Sequence, residues 1–363
     1  MLDQRIENLH IISEEPIITP DRLRERYPLT ETAVQTVFKG QQTIKQILDG
    51  QDPRLFVVVG PCSIHDVDAA KDYAARLKAL ADEVDDTLFL VMRVYFEKPR
   101  TRVGWQGLIS DPAMDGSADI ESGLKLARQL LLHLAEMGLP AAGEALDLVT
   151  PQYVQDLFAW TAIGARTTES QTHRKMASGF SCPTGFKNGT DGNIEIALNA
   201  LKAAAQGHNF VSVDRAGQVA IIRTAGNPHC HLVLRGGLSR PNYDNVSIAL
   251  VEQQLAAADL PLKLMVDCSH DNSQKDPARQ PFVMRDLTHQ IIEGNRSIVG
   301  LMLESNLVGG NQPLTADREQ LQYGLSVTDA CMDWETTAAQ LREMRQRLKD
   351  VLPGRLVQPN NNS

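Results

Sequence analysis

The feature that most constrains this chain is a rhythm that starts at Leu55 and repeats eight times: a short apolar or β-branched run, a turn, then an amphipathic helical stretch. The runs cover residues 55–60, 88–94, 139–146, 162–166, 182–187, 232–235, 264–268 and 298–304. Helical stretches follow at about 67–83, 121–137, 151–159, 170–178, 193–206, 244–258, 281–293 and 335–350. In the first of them Ala70, Tyr73, Ala74, Leu77 and Leu80 recur at helical spacing, and Asp66 stands where an N-cap belongs. Strands alternating with helices imply right-handed βαβ units and a parallel sheet. Eight units fit an α/β fold closed into a (β/α)8 barrel better than a doubly wound sheet. One segment interrupts the count: residues 209–213 and 218–223 flank Asp214-Arg215-Ala216-Gly217, a hairpin signal, read as an insertion at about 208–224 before the sixth barrel strand.

The expected organisation is an N-terminal extension over residues 1–50 with a regulatory or oligomerisation role, a catalytic barrel over 51–353, and a flexible polar tail over 354–363. Within the extension, Thr19 as N-cap and Pro20 at the first helical position predict a helix that runs to Gly50. The formal net charge of −9 argues against a protein that coats nucleic acid. No apolar run approaches membrane-spanning length, and MLDQRIENLH lacks the basic-then-apolar pattern of a signal peptide. Five cysteines, at 62, 182, 230, 268 and 331, show no paired spacing, which fits a reducing, cytoplasmic setting rather than a disulfide framework.

The strand ends say more than the count. The first run ends Gly60-Pro61-Cys62, the second holds Arg93 and leads to Lys98, and the third carries Glu144. Runs four, five and six end in Arg166, Lys187 and Arg235; the seventh leads to His270 and the eighth ends in Glu304. In a barrel these positions share the rim that carries the active site. One arginine after a strand is most often a solvated loop charge; eight such ends in register are not explained that way. Arg93, Lys98, Arg166, Lys187 and Arg235 form a cation cluster in an acidic chain, suited to a substrate bearing phosphate and carboxylate. Such a cluster would repel itself without a polyanion. Cys62, His270 and Glu304, with Asp329 as a further candidate, make a mixed sulfur, nitrogen and oxygen set that suits a divalent transition metal better than Mg2+ or Ca2+. Taken one at a time, Cys62 reads as a buried thiol and His270 as a core histidine.

Longer stretches carry a resemblance. VVVGPCSIHD (57–66), VMRVYFEKPRT (91–101), AIGARTTESQTHR (162–174), PTGFKNGTDG (183–192), LRGG (234–237), VDCSHDNS (266–273), LMLESN (301–306) and SVTDACMDWE (326–335) resemble the type I 3-deoxy-D-arabino-heptulosonate-7-phosphate (DAHP) synthases, feedback-regulated group. The resemblance implies a TIM barrel with an N-terminal extension and an inserted β-hairpin. It implies a transferase, a 3-deoxy-7-phosphoheptulonate synthase, that condenses phosphoenolpyruvate and erythrose 4-phosphate with water to DAHP and phosphate, the first step of the shikimate pathway. Carried over residue by residue, the metal ligands are Cys62, His270, Glu304 and Asp329, with Mn2+ as the first expectation and Co2+, Fe2+ or Zn2+ as alternatives. Phosphoenolpyruvate would be held by Arg93, Lys98, Glu144, Arg166, Lys187 and Arg235, and the phosphate of erythrose 4-phosphate by Arg100 and Thr101. Asp329 would lie close to substrate as well as metal. Lys98, His270 and Cys62 are the candidate catalytic groups, the metal acting as a Lewis acid on the aldehyde oxygen. The related barrel enzymes that make the eight-carbon keto-acid phosphate of lipopolysaccharide lack Lys98-Pro99-Arg100-Thr101, and their metal-independent members have Asn where Cys62 stands.

The resemblance also implies inhibition by an aromatic amino acid at Pro151, Gln152, Ser181, Phe210 and Ser212. Ser212 leans to phenylalanine, whereas Gln218-Val219-Ala220 looks like the tyrosine-sensitive relatives. A homodimer or homotetramer is expected, with no nucleic-acid or membrane partner. Two departures stand out: Asp271, where relatives carry a small residue, is expected to alter metal preference, and Leu238 replaces a lysine. Cys331, two residues after Asp329, is expected near Cys62, close enough for a disulfide on oxidation. Two rival readings compete with this one, a Schiff-base aldolase with Lys187 as nucleophile and a non-catalytic metabolite sensor.

Overall fold

The computed structural model describes residues 7–99, 104–238, 240–315 and 318–356. Eight parallel strands close into a barrel, in the order β1-β10-β9-β8-β5-β4-β3-β2. In chain order the elements are α1 (Pro20–Arg26), α2 (Glu31–Leu48), β1 (Leu55–Gly60), α3 (Val67–Val84), β2 (Leu88–Arg93), α4 (Ile120–Glu136) and β3 (Ala141–Glu144). Then follow α5 (Pro151–Val154), β4 (Phe158–Ile163), α6 (Gln171–Ala177), β5 (Thr184–Lys187) and α7 (Glu195–Ala204). A hairpin of β6 (Asn209–Val213) and β7 (Val219–Arg223) precedes β8 (Cys230–Leu234), α8 (Asn245–Ala257), β9 (Leu264–Asp267), α9 (Gln280–Ile292), β10 (Ile298–Glu304) and α10 (Trp334–Leu348). The insertion therefore stands before the sixth barrel strand, and its two strands pair antiparallel apart from the barrel.

The predicted helix from Thr19 to Gly50 is two helices. Thr19 caps α1 by accepting from the Arg22 N–H, with Pro20 in the first turn. Pro28 then interrupts, because a residue preceding proline is driven out of the helical region, and Thr30 caps α2 afresh. The fourth strand also begins earlier than the sequence pattern predicts, at Phe158 rather than 162. The helical stretch expected over 151–159 shrinks to the single turn α5 and a short 3-10 turn. Asp66 caps α3 as expected, accepting from the Asp68 and Ala69 N–H groups.

Side chains alternate across each strand, so every second residue faces the barrel interior. Phe56 and Val58 from β1, Phe89 and Val91 from β2, Trp160 and Ala162 from β4, Val233 from β8, Met265 from β9 and Met302 from β10 form one buried cluster. Ile44, Ile47 and Leu48 of α2 join it and plug the N-terminal mouth, where Gln41 also donates to the Phe158 carbonyl at 3.0 Å. Trp160 fills the interior because Gly185 faces it; a Cβ there would lie 2.3 Å from the indole ring. The outward residues Leu55, Val57 and Val59 pack instead against the helical layer. A buried plug at one mouth leaves the other, where the strands end, for chemistry.

Candidate active site

The interior alternation continues past the core into the functional residues. Val91 is followed two places on by Arg93 and then Tyr95, Ala142 by Glu144, Val233 by Arg235, Met265 by Asp267 and Met302 by Glu304. Arg93, Tyr95, Glu144 and Arg235 line one cavity of about 550 Å³ at the C-terminal mouth, with Asp267 and Glu304 buried behind the cations they pair with. Its wall includes Arg93, Lys98, Glu144, Arg166, Lys187, Arg235, His270 and Asp329. Arg100 and Thr101 lie outside the described residues.

The cations are held from behind. Arg93 is fully buried; its Nη2 donates to Glu304 Oε1 at 2.9 Å and its Nε to the Pro61 carbonyl at 3.1 Å. Its guanidinium lies over the Tyr95 ring, 3.5 Å from the centroid, with Lys98 and Lys187 Nζ at 5.9 and 6.0 Å from the same ring. Lys187 Nζ donates to Asp267 Oδ2 at 2.8 Å. Arg235 pairs with Asp271. Lys98 Nζ reaches both the carbonyl and the Sγ of Cys62 at 3.2 Å. The ion pair on Lys187 is the opposite of the unpaired, desolvated amine that Schiff-base chemistry needs.

Against Arg93 and Lys98, the sulfur and oxygen ligand atoms of Cys62, Glu304 and Asp329 lie within 4.8 Å of one another. His270 stands beside them, its Nε2 3.8 Å from Glu304 Oε1. Its Nδ1 is 2.9 Å from Asp267 Oδ2, so Nε2 is the nitrogen left for the cluster. His270 has φ +52°, a left-handed conformation uncommon outside glycine, which here turns the ring into the cavity. Asp329 comes from the loop after β10. Ser63 and Thr328 hydroxyls meet at 2.7 Å on one side of it, and the Cys62 N–H donates to Cys331 Sγ at 3.4 Å on the other. Cys331 thus stands next to Cys62, as expected. A thiol, two carboxylates and an imidazole in one place fit a divalent transition metal by the chemistry of their donors.

Electrostatics agree with this division. Burial alone would raise the Glu304 carboxyl, but His270, Arg93 and Lys98 together hold it at about 2. Burial likewise opposes Asp267, yet His270 and Lys187 hold it well below the usual carboxylate range. The Cys62 thiol moves the other way, pushed up by burial and by the Glu304 charge.

A second cavity, of about 420 Å³, lies between α1, α2 and the loop around α5. The structure brings Pro151, Gln152 and Ser181 together on its wall, with Arg24, Phe38 and Phe180. Phe210 and Ser212 are half-buried on β6 and do not line it. The turn of their hairpin touches α1, one wall of the cavity: the Asp21 N–H donates to the Arg215 carbonyl at 2.8 Å, and Arg24 of the same helix donates to the Gln152 carbonyl at 2.6 Å.

Two contributors went unread in the sequence. Asp267, which ties Lys187 to His270, hides at the end of an apolar run, three residues before His270. Tyr95 was legible only as a continuation of the inward alternation that carries Arg93.

A sequence profile of the DAHP synthetase I family matches residues 28–342. The chain belongs to this family. It is 55% identical over 357 residues to the Tyr-sensitive phospho-2-dehydro-3-deoxyheptonate aldolase of Escherichia coli K12, covering 98% of this chain and all of that one. The Phe-sensitive enzyme of the same organism is 53% identical over 343 residues, covering 94% and 97% of the two chains. A solved phospho-2-dehydro-3-deoxyheptonate aldolase from Francisella tularensis superposes with a TM-score of 0.91 at 46% identity, covering 94% of this chain and 99% of that one. The chain is accordingly a DAHP synthase, joining phosphoenolpyruvate to erythrose 4-phosphate at the head of aromatic biosynthesis. The family is divalent-metal dependent and uses aromatic amino acids as feedback effectors.

Proposed function

We propose that the cavity at the C-terminal mouth is where this DAHP synthase works, with Arg93, Lys98, Arg166, Lys187 and Arg235 seating phosphoenolpyruvate. The observation that carries this is that five cations from four strand ends line one cavity with His270 and Asp329, and that Asp329 there groups with Cys62 and Glu304. Cys62, His270, Glu304 and Asp329 would hold the divalent metal, Mn2+ being the first expectation, which supplies Lewis acidity toward the aldehyde oxygen of erythrose 4-phosphate. The chain's own residues do the rest. The cations neutralise two anionic substrates and align them, which removes much of the entropic cost of a two-substrate encounter. Glu144 faces the same cavity and is placed to orient the water that adds at C2. Lys98 would hold a proton at the reacting end, with His270 lining the same cavity. Arg100 and Thr101 would take the second phosphate. Phosphate release from the two substrates, measured with and without chelator, tests the reading. Cys62→Ala should abolish turnover while circular dichroism stays native; normal turnover of the metal-free variant would overturn the ligand set.

The second cavity is proposed as the effector site, with Pro151, Gln152 and Ser181 on its wall and Phe210 and Ser212 reached through the hairpin contact with α1. Inhibition is expected from phenylalanine or tyrosine, Ser212 favouring the former, and titrating each into the assay decides between them. The N-terminal extension, exposing Leu9, Ile11 and Ile12, together with the outward hairpin face of Val211, Val219 and Ile221, supports a homodimer or homotetramer. Sedimentation tests that. Among the described residues no helix is long and apolar enough to cross a membrane, and a cytoplasmic location is proposed with it.

A further inference from the structure

We infer that Asp271 weakens the hold of the active site on its anionic substrate and on product phosphate by neutralising Arg235. The expected influence of Asp271 on the metal finds no support in the geometry: its carboxylate is not among the grouped ligand atoms and is turned to Arg235 Nη1. Two features fix it there. The Asp271 N–H donates to the Arg235 carbonyl at 3.2 Å, and Gly236 closes tightly behind it, since a Cβ on Gly236 would lie 2.6 Å from the Asp271 carbonyl carbon. Gly236 itself has φ +77°, so that close approach is built into the turn.

Position decides between two roles for this carboxylate. Arg235 lines the cavity and Asp271 does not, so Asp271 does not sit in the anion's seat and an arriving anion has no need to displace it. Its charge therefore stays beside the bound substrate. The guanidinium keeps its remaining N–H groups for the ligand, because Nη1 alone is engaged by the carboxylate. Both side chains are largely buried, at 8% and 13% exposure, so the pair is incompletely screened. A like charge about 6 Å from the bound anion is worth roughly a factor of three in affinity at the dielectric of water and roughly a hundred at an effective dielectric near 20, so about three-fold is the least expected here. Such attenuation suits a reaction that must let go of phosphate in every cycle.

This inference rests on Arg235 holding the anion, and the experiment separates the two. Inorganic phosphate is titrated calorimetrically into the metal-loaded wild type, Asp271→Asn, Asp271→Ala and Arg235→Ala, and KM for phosphoenolpyruvate and kcat are measured on each. Both Asp271 variants should bind phosphate at least about three-fold tighter and show a KM for phosphoenolpyruvate lowered by a similar factor, with bound metal unchanged and kcat equal or lower. Asn keeps the side chain's shape and hydrogen bonding, so a matching gain in both variants assigns the effect to charge. Arg235→Ala should bind phosphate more weakly. If it does and the Asp271 variants bind as the wild type or worse, the inference on Asp271 fails alone and that residue merely positions Arg235. If Arg235→Ala binds phosphate unchanged, the seat is not at Arg235 and both readings fall.

Discussion

Asp267→Asn probes the hub of the site with the smallest change in shape. Asp267 is fully buried and uses both oxygens. Oδ1 accepts from the Ser269 N–H at 3.0 Å and from its hydroxyl at 2.6 Å. Oδ2 accepts from Lys187 Nζ at 2.8 Å and faces His270 Nδ1 at 2.9 Å. An asparagine has one acceptor oxygen. Whichever way the amide turns, two of these donors face an NH2 group instead, and the negative charge that balances Lys187 and His270 is gone. Turned to keep Ser269, the amide leaves Lys187 as an unpaired ammonium at 6% exposure. Removing one partner of a buried pair costs about 3–5 kcal/mol, with the lower end expected where a cavity admits water. His270 Nδ1 keeps the Ser269 hydroxyl at 2.8 Å but loses the carboxylate beside it, and losses of that kind cost about 10–100-fold in metal affinity.

The assay is a competitive metal titration against a chromophoric chelator, paired with chemical denaturation of the metal-free protein. The expected result is metal binding weakened by at least about ten-fold and metal-free stability lowered by about 3 kcal/mol. KM for phosphoenolpyruvate should fall rather than rise, since Lys187 loses the carboxylate that offsets it. Metal affinity within two-fold of the wild type would refute the reasoning: either His270 is no ligand, or its tautomer is fixed by something other than Asp267.

Gly164→Ala would put a Cβ 2.2 Å from Glu144 Oε1, the movable end of a side chain; turnover should fall at least ten-fold while thermal stability stays within a degree or two, and unchanged turnover would remove Glu144 from the reaction. Metal binding should release a proton from Cys62, whose thiol is raised by burial and by the Glu304 charge; calorimetry in buffers of different ionisation enthalpy reads this release, and Cys62→Ser should abolish it. Glu97 is raised to about 7, by burial first and then by the charges of Asp147 and Glu144, despite the Thr150 hydroxyl it accepts from at 2.9 Å. A raised carboxyl contributes stability that is whole below the unfolded value of 4.5 and is lost as pH climbs to about 7. Comparing the wild type with Glu97→Gln at pH 5.5 and 8 should therefore show the wild type losing about 1–2 kcal/mol more over that interval; a parallel pair of curves would show Glu97 ionised throughout.

Most of the barrel was readable because period and length agree: a buried parallel strand leaves an apolar run, and an amphipathic helix leaves a stripe. Reading failed where a local signal hid behind a stronger one. Phe158-Ala159-Trp160-Thr161 is strand, yet it follows a proline-led helix start at Thr150-Pro151 with no glycine or second proline between, so the pattern ran the helix on into it. The cations and Cys62, His270 and Glu304 were readable because a charged or ligating residue at the end of an apolar run has few reasons to be there. Asp329 was harder, since it reaches the cluster from a loop whose Thr328 and Cys331 meet Ser63 and Cys62 across more than 260 residues of chain. Asp267 escaped because the same run leads on to His270 three residues later, and the histidine reads as its functional end.

One inference from the sequence changes with the geometry. Five cations in one place were expected to repel one another until a polyanion arrived. The structure gives three of them a carboxylate of their own: Glu304 for Arg93, Asp267 for Lys187 and Asp271 for Arg235. The wall is therefore held together before substrate binds, and the site offers oriented donors rather than bare charge. That arrangement explains how a chain of net charge −9 keeps such a cluster folded. It also ties the two halves of the site together, because Glu304 and Asp267 each face a cation on one side and the metal-ligand set or His270 on the other. Loading the metal and seating the anion then draw on the same carboxylates, so each should change the affinity for the other, and by the same factor in both directions.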